Sequence, residues 1–157
     1  MIRQKDEKEQ PQSDAEQLLG KLGNLVKPLE ILIVDDVLAN RFLVETMLSG
    51  SYVCEGAGSA AEMWRILMRK KPRLILLDLM MPFENGFETL AKLKSDPVNK
   101  SIPVIVVSAR DSREDVVRAM GLGAVDYVVK PVEEGPLLRK IHKILGDSEV
   151  PIFTPPV

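Results

Sequence analysis

Short apolar runs alternate along this chain with longer amphipathic stretches. Continuous or nearly continuous apolar runs fall at 31–34 (ILIV), 74–77 (LILL), 104–107 (VIVV) and 125–129 (VDYVV), with a weaker one at 52–54 (YVC). Runs of this length, rich in Val, Ile and Leu, suit strands buried on both faces of a parallel sheet. Between them the period becomes helical. Ser59 and Glu62 stand at capping-box spacing before Met63, Trp64, Leu67 and Met68, which share one stripe. Ser112 and Asp115 open another helix, and Leu137, Leu138, Ile141, Ile144 and Leu145 line the last. Strand and helix repeat five times over residues 29–146, which predicts one α/β domain with a doubly wound, five-stranded parallel sheet.

The ends of the chain break this pattern. Residues 1–12 are charged and Gln-rich and read as disordered. Residues 13–26 predict an amphipathic helix: Ser13 and Glu16 have capping-box spacing, and Leu18, Leu19, Leu22, Leu25 and Val26 follow the helical period. Gly20 and Gly23 each weaken it by up to ~1 kcal/mol, so it needs something to pack on. The helix could pack on the following domain, mediate dimerisation or continue to another subunit; an exposed leucine stripe normally finds a partner, which favours a homodimer. Pro28 closes this 1–28 extension, and residues 147–157, with three prolines, read as an extended tail or the start of a linker. The chain is accordingly expected to be either a single-domain protein or part of a longer one.

Composition narrows the function classes. Hydrophobic residues make up 45% and charged residues 28%, with a formal net charge of −2, so nothing global favours nucleic acid or an anionic membrane. No apolar run approaches the roughly 20 residues of a membrane span, and MIRQKDEKEQ lacks a signal-peptide core. The single cysteine, Cys54, excludes an intrachain disulfide and a multi-cysteine zinc site, and the single histidine, His142, excludes a histidine cage. The expected compartment is a reducing cytoplasm, with no membrane insertion.

Candidate chemistry comes from the residues that end the strands, because ligands of open parallel sheets bind at the carboxyl edge. The first strand ends in Asp35–Asp36, the third in Asp78, the fourth in Ser108 and the fifth in Lys130. Asp36 alone could cap a helix and Ser108 alone could begin a loop, but the set is poorly explained that way. Three clustered carboxylates repel by up to ~4 kcal/mol per close pair at an effective dielectric of 20. Lys130 supplies one positive charge, and a divalent cation would bring the cluster to neutrality. Carboxylate oxygens without thiolate or imidazole suit Mg²⁺. An oxygen nucleophile, a hard cation, a lysine and a hydroxyl donor together describe a phosphoryl-transfer site.

These residues resemble the response-regulator receiver pattern: Asp35–Asp36, Asp78–Leu–Met–Met–Pro82 with Gly86 eight residues after Asp78, Ser108–Ala109 and Lys130–Pro131. The resemblance covers about residues 29–146 and implies a flavodoxin-like sheet of order 2-1-3-4-5. It implies that Asp78 takes a phosphoryl group from a phosphohistidine on a histidine kinase or phosphotransfer protein. Asp35, Asp36, Asp78 and the Met80 carbonyl would serve Mg²⁺, with Asp35 acting largely through water. Lys130, the Ser108 hydroxyl and the Ala109 N–H would meet the phosphoryl oxygens, and the Lys130–Pro131 bond would be cis. Ser108 and Tyr127 would move inward together and alter the face of the last two helices and the strand between them, which meets a downstream effector; Tyr127 reads equally as a plain core aromatic. Such a chain catalyses only its own phosphorylation and slow dephosphorylation, and is not otherwise an enzyme.

Other residues are read as bystanders or tuners. His142 is expected to face solvent, so the phosphoryl donor must be another protein. Met80 and Arg110 are less typical and are read as tuning the reaction, Met80 by hindering the attacking water, with plain loop filler as the equal alternative. Gly56–x–Gly58–x–x–Ala61, with Asp78 twenty residues after Gly58, has the layout of a dinucleotide-binding fingerprint. The preceding strand is half polar, however, and that reading leaves Asp35, Asp36, Ser108 and Lys130 unexplained. An aspartyl-nucleophile phosphatase would carry a second Asp where Met80 stands, and a phosphate-independent interaction module would lack members of the site. No helix-turn-helix or basic stripe follows residue 147, so direct nucleic-acid binding is not expected.

Overall fold

The computed structural model describes residues 14–25 and 27–147. In chain order they form α1 (Asp14–Leu25), β1 (Ile31–Val34), α2 (Leu38–Leu48), β2 (Cys54–Ala57), α3 (Ala60–Leu67), β3 (Leu74–Leu77), β4 (Met80–Met81), β5 (Glu84–Asn85), α4 (Gly86–Ser95), β6 (Val104–Ser108), α5 (Arg113–Gly121), β7 (Asp126–Val129) and α6 (Glu134–Leu145). The main sheet is fully parallel with order β2-β1-β3-β6-β7, which is 2-1-3-4-5 counted over its own strands. This is the flavodoxin-like arrangement implied by the strand-end motifs.

Alternation of side chains along the buried strands creates two cores. Leu32, Val34, Ile75, Leu77, Val104 and Val106 face α3, α4 and α5 and pack against Met63, Ile66, Phe87, Leu90 and Ala119. Ile31, Ile33, Leu74, Leu76, Ile105 and Val107 face α2 and α6, against Val44, Leu48, Leu137 and Ile141. Each such side chain contributes roughly 1.5–3 kcal/mol of burial, which sustains a sheet whose strands are only four or five residues long.

Helix starts follow local chemistry. Ser59 Oγ accepts from Glu62 N and Ser112 Oγ accepts from Asp115 N, both at 3.1 Å. Glu62 does not return to Ser59; its carboxylate accepts from Gly58 N at 2.8 Å, while Glu84 takes the Ala60 N–H. α6 ends at Gly146 in the left-handed region (φ 70), with Asp147 N donating back to the His142 carbonyl.

Four sequence readings need adjustment. The edge strand lies at Cys54–Ala57 rather than at 52–54, because it pairs with β1 alone and Tyr52 turns into the core. The last strand begins at Asp126. His142 is half-buried, with its ring centroid 5.7 Å from that of Tyr52. The helix read over 13–26 is described over Asp14–Leu25, with Leu18, Leu19 and Leu22 exposed, whereas its Ser13 cap lies outside the described residues. The disorder expected over residues 1–12 and the extended tail expected over 148–157 also lie outside them.

Candidate phosphoryl-transfer site

The sheet brings three of its strand ends to one edge. Asp35 follows β1, Asp78 follows β3 and Lys130 follows β7. Main-chain bonds fix the carboxylate bearers, Asp35 N to Ala57 O at 3.0 Å and Asp78 N to Val34 O at 2.9 Å. Lys130 Nζ then bridges them, 2.7 Å from Asp35 Oδ2 and 2.9 Å from Asp78 Oδ2. The second oxygen of each carboxylate is held by an N–H two residues on: Val37 N donates to Asp35 Oδ1 and Met80 N to Asp78 Oδ1, both at 2.9 Å.

Asp36 completes the cluster. Asp35, Asp36 and Asp78 each present an oxygen, all within 4.8 Å of one another. Among the described residues the Asp36 carboxylate has no hydrogen bond or ion pair. Asp35 and Asp78 are buried and Asp36 half-buried. At such separations each carboxylate pair repels by about 3.5 kcal/mol or more at an effective dielectric of 20. Burial pushes the Asp78 carboxyl above its ordinary value and neighbouring Asp35 adds to this, against the Met80 N–H and Lys130, which pull it down. Burial pulls Lys130 down, but its bonds to Asp35 and Asp78 outweigh that and hold the ammonium above its ordinary value. One lysine thus faces three carboxylates. A hard divalent cation fits this all-oxygen set, with Asp36 free to turn towards it.

The loop after Asp78 is shaped for close approach. Met80–Met81 pairs with Glu84–Asn85 as a tight hairpin, and Asn85 Oδ1 caps α4 through Phe87 N. Gly86 is buried beneath it, and a Cβ there would overlap the Leu79 main chain, adjacent to Asp78. Phe83 at the hairpin tip has φ 62 and is completely exposed, and Met80 is exposed beside it. The two-residue strands were not legible as a hairpin, since they carry no period.

The remaining predicted site residues divide into two groups. Lys130 is joined to a cis peptide bond with Pro131, and Pro131 and Val132 help line a cavity of about 350 Å³ beside Asp35, Asp78 and Lys130. Ser108 is fully buried at the end of β6; its Oγ accepts from Arg110 N at 3.2 Å and its carbonyl from Lys130 N at 2.9 Å. Ala109 is exposed just beyond it. The Tyr127 hydroxyl donates to the Arg110 carbonyl at 2.7 Å, so Ser108, Arg110 and Tyr127 form one connected chain. Arg110 itself turns to α5, 2.9 Å from Asp115, with its guanidinium 5.7 Å from the centre of the Phe87 ring. It is not part of the carboxylate cluster. One residue that sequence reading passed over, Arg41, donates to the Asp35 main-chain carbonyl at 2.6 Å.

Known proteins resemble this chain in sequence and fold. The chain is 36% identical over 115 residues to Response regulator PleD of Caulobacter vibrioides, covering 73% of this chain and 25% of PleD. It is 37% identical over 120 residues to Protein PilH of Pseudomonas aeruginosa, covering 74% of this chain and 97% of PilH. It therefore spans a quarter of the one relative and nearly all of the other. A crystal structure of a CheY-like response regulator receiver domain protein from Methanospirillum hungatei superposes with a TM-score of 0.70 at 30% identity, covering 76% of this chain and 95% of that one. Residues 31–142 match the model of the response regulator receiver domain, and the chain belongs to that family.

Proposed function

We propose that this chain is the phosphoacceptor of a two-component signalling pathway, and that Asp78 receives the phosphoryl group. The observation that carries the reading is the placement of Lys130 between buried Asp35 and Asp78, with Asp36 in the same cluster. A phosphohistidine on a histidine kinase or phosphotransfer protein is the donor, and Mg²⁺ is the cation. Asp35, Asp36, Asp78 and the Met80 carbonyl would hold Mg²⁺, which supplies charge neutralisation for the phosphoryl oxygens.

The chain's own residues account for the rest. An Asp78 oxygen forms the new O–P bond as the donor's P–N bond breaks, and the bonding pair leaves with the imidazole nitrogen. During this transfer Lys130 shifts from its carboxylate partners towards the phosphoryl oxygens, where its charge stabilises the transition state. Ser108 turns its hydroxyl to one of those oxygens, and the Ala109 N–H meets another. The Ser108–Arg110–Tyr127 connection carries the change to the surface of α5, β7 and α6, where a downstream effector docks. Val117, Val125 and Val129 are exposed on those elements or beside them, as such a contact surface requires. Output passes through that protein contact, with α1 as a dimer contact. The chemistry is confined to Asp78 and its own dephosphorylation, in the cytoplasm, without turnover of a separate substrate.

The test is incubation with acetyl phosphate and Mg²⁺, followed by intact mass. Wild type gains one phosphoryl group, Asp78→Asn gains none, and berylliofluoride blocks the labelling. No adduct on wild type at any Mg²⁺ concentration sinks the proposal, and many turnovers per chain would point instead to a phosphatase.

A further inference from the structure

The Gly56–x–Gly58 pair has an occupant. A Cβ on Gly56 would lie 3.1 Å from Arg41 Cδ and 3.2 Å from its Nε, and one on Gly58 would lie 3.1 Å from Arg41 Nη1. The Arg41 side chain therefore runs across both glycines, along a trough that side chains there would crowd. These glycines admit an arginine rather than a dinucleotide. At the end of the trough Nη1 donates to the main-chain carbonyl of Asp35 at 2.6 Å, a short charge-assisted bond. Arg41 makes no ion pair among the described residues.

That carbonyl lies in the turn that carries both Asp35 and Asp36. Three bonds pin the turn: Asp35 N to the Ala57 carbonyl, Val37 N to Asp35 Oδ1, and Arg41 to the Asp35 carbonyl. Asp36 depends on this backbone, because its carboxylate has no partner of its own among the described residues. Repulsion from Asp35 and Asp78 pushes it away, so its place in the cluster is set by the turn and not by side-chain contacts.

We propose that Arg41, seated on Gly56 and Gly58, is a positioning residue that holds the Asp35–Asp36 turn in the geometry that binds Mg²⁺. The proposal rests on the reading of the cluster as a Mg²⁺ site. It differs in sign from a plain charge effect. A nearby cation opposes Mg²⁺ binding, so deleting one should tighten it, whereas loss of positioning should loosen it.

Calorimetric titration of the full chain with MgCl₂ separates these, with folding checked by circular dichroism. Arg41→Ala should raise the Mg²⁺ Kd by about tenfold or more, the range seen when groups that orient metal ligands are removed. Gly56→Ala should loosen binding in the same direction while keeping every charge, because its methyl would meet Arg41 at 3.1–3.2 Å and press the arginine off its seat by a few tenths of an ångström. Arg41→Lys, with a single point charge and no fork, should fall between Arg41→Ala and wild type. A Kd for Arg41→Ala equal to or tighter than wild type overturns the proposal. If Arg41→Ala does not fold, Arg41→Lys and Gly56→Ala decide together, and Kd values for both within about twofold of wild type overturn it, because removal of an orienting group costs about tenfold or more. A wild type that shows no Mg²⁺ binding overturns both this proposal and the Mg²⁺ reading; binding by wild type with unchanged variants overturns this one alone.

Discussion

At the amino edge of the sheet, Arg73 stands between two carboxylates, 3.4 Å from Glu30 and 3.1 Å from Asp147. At the carboxyl edge, Lys130 stands between Asp35 and Asp78 at 2.7 and 2.9 Å. Each is a cation shared by two acids, yet the surroundings differ. The Arg73 side chain is 41% exposed, and its group ties the start of β1, the start of β3 and the end of α6 together in water. Asp35 and Asp78 have side chains only 7% and 6% exposed, and Asp36 adds a third negative charge that nothing in the described chain balances. One edge is an ordinary tether; the other keeps an electrostatic imbalance that a cation can relieve.

Removing the central cation from each edge tests this most strongly. Lys130→Ala leaves two buried acids unpaired and should cost about 3–5 kcal/mol in urea unfolding at neutral pH. Arg73→Ala should cost no more than about 1 kcal/mol. Neutral pH is the right window. Lys130 is raised in the folded state, so its contribution is complete below the ordinary lysine value of about 10.4 and is lost as pH rises through the folded one. Equal losses at the two edges would break the comparison.

Added cation gives the next largest difference. Mg²⁺ at a hundred times its Kd should stabilise wild type by about 2.7 kcal/mol. Asp78→Asn should be more stable than wild type without Mg²⁺ and should gain less on its addition. Glu30→Gln, at the other edge, should keep the wild-type increment. Thermal unfolding with and without MgCl₂ checks all three, and an equal Mg²⁺ gain in Asp78→Asn would remove Asp78 from the cation site.

The hairpin above Asp78 stores a smaller imbalance. A left-handed φ at Phe83, on a completely exposed side chain, has no packing to offset it. Phe83→Gly should therefore raise stability by about 1 kcal/mol while leaving Mg²⁺ affinity unchanged. A loss of stability instead would show that the exposed ring supports the hairpin.

These contrasts also explain what the sequence could and could not disclose. The central strands were legible because burial on both faces writes them as unbroken Val, Ile and Leu. β2 lies at the edge, pairs on one side and includes Glu55 and Gly56, so its pattern is faint. α2 exposes Leu38, Phe42 and Leu43, which blurs the stripe that a buried face would draw. Asp35, Asp36, Asp78 and Lys130 were legible because acids and a lysine at strand ends have no packing purpose. Arg41 was not, because it grips a main-chain carbonyl, and such a bond leaves no mark in residue type. The roles of Gly56 and Gly58 were hidden for the same reason: what they accommodate is distant in sequence.

Acid titration should give the smallest effect and the clearest sign. Burial raises Asp78 in the folded state, so the folded chain takes up its proton first and ionised Asp78 lowers stability. The stability advantage of Asp78→Asn should be full above that raised value and fade to nothing as pH falls to the ordinary value near 3.9. Asp147 is opposite: the Arg73 hydrogen bond, with Tyr52 adding to it, lowers it. Its contribution is present above the ordinary value and is lost only as pH falls through the depressed one. Asp147→Asn should therefore show a deficit that persists at pH 4 and closes below it. Difference curves of opposite sign, closing in adjacent pH windows, would show that the same residue type stabilises one edge and strains the other. Two curves of the same sign would mean that Asp78, too, is simply a structural acid paired with its lysine.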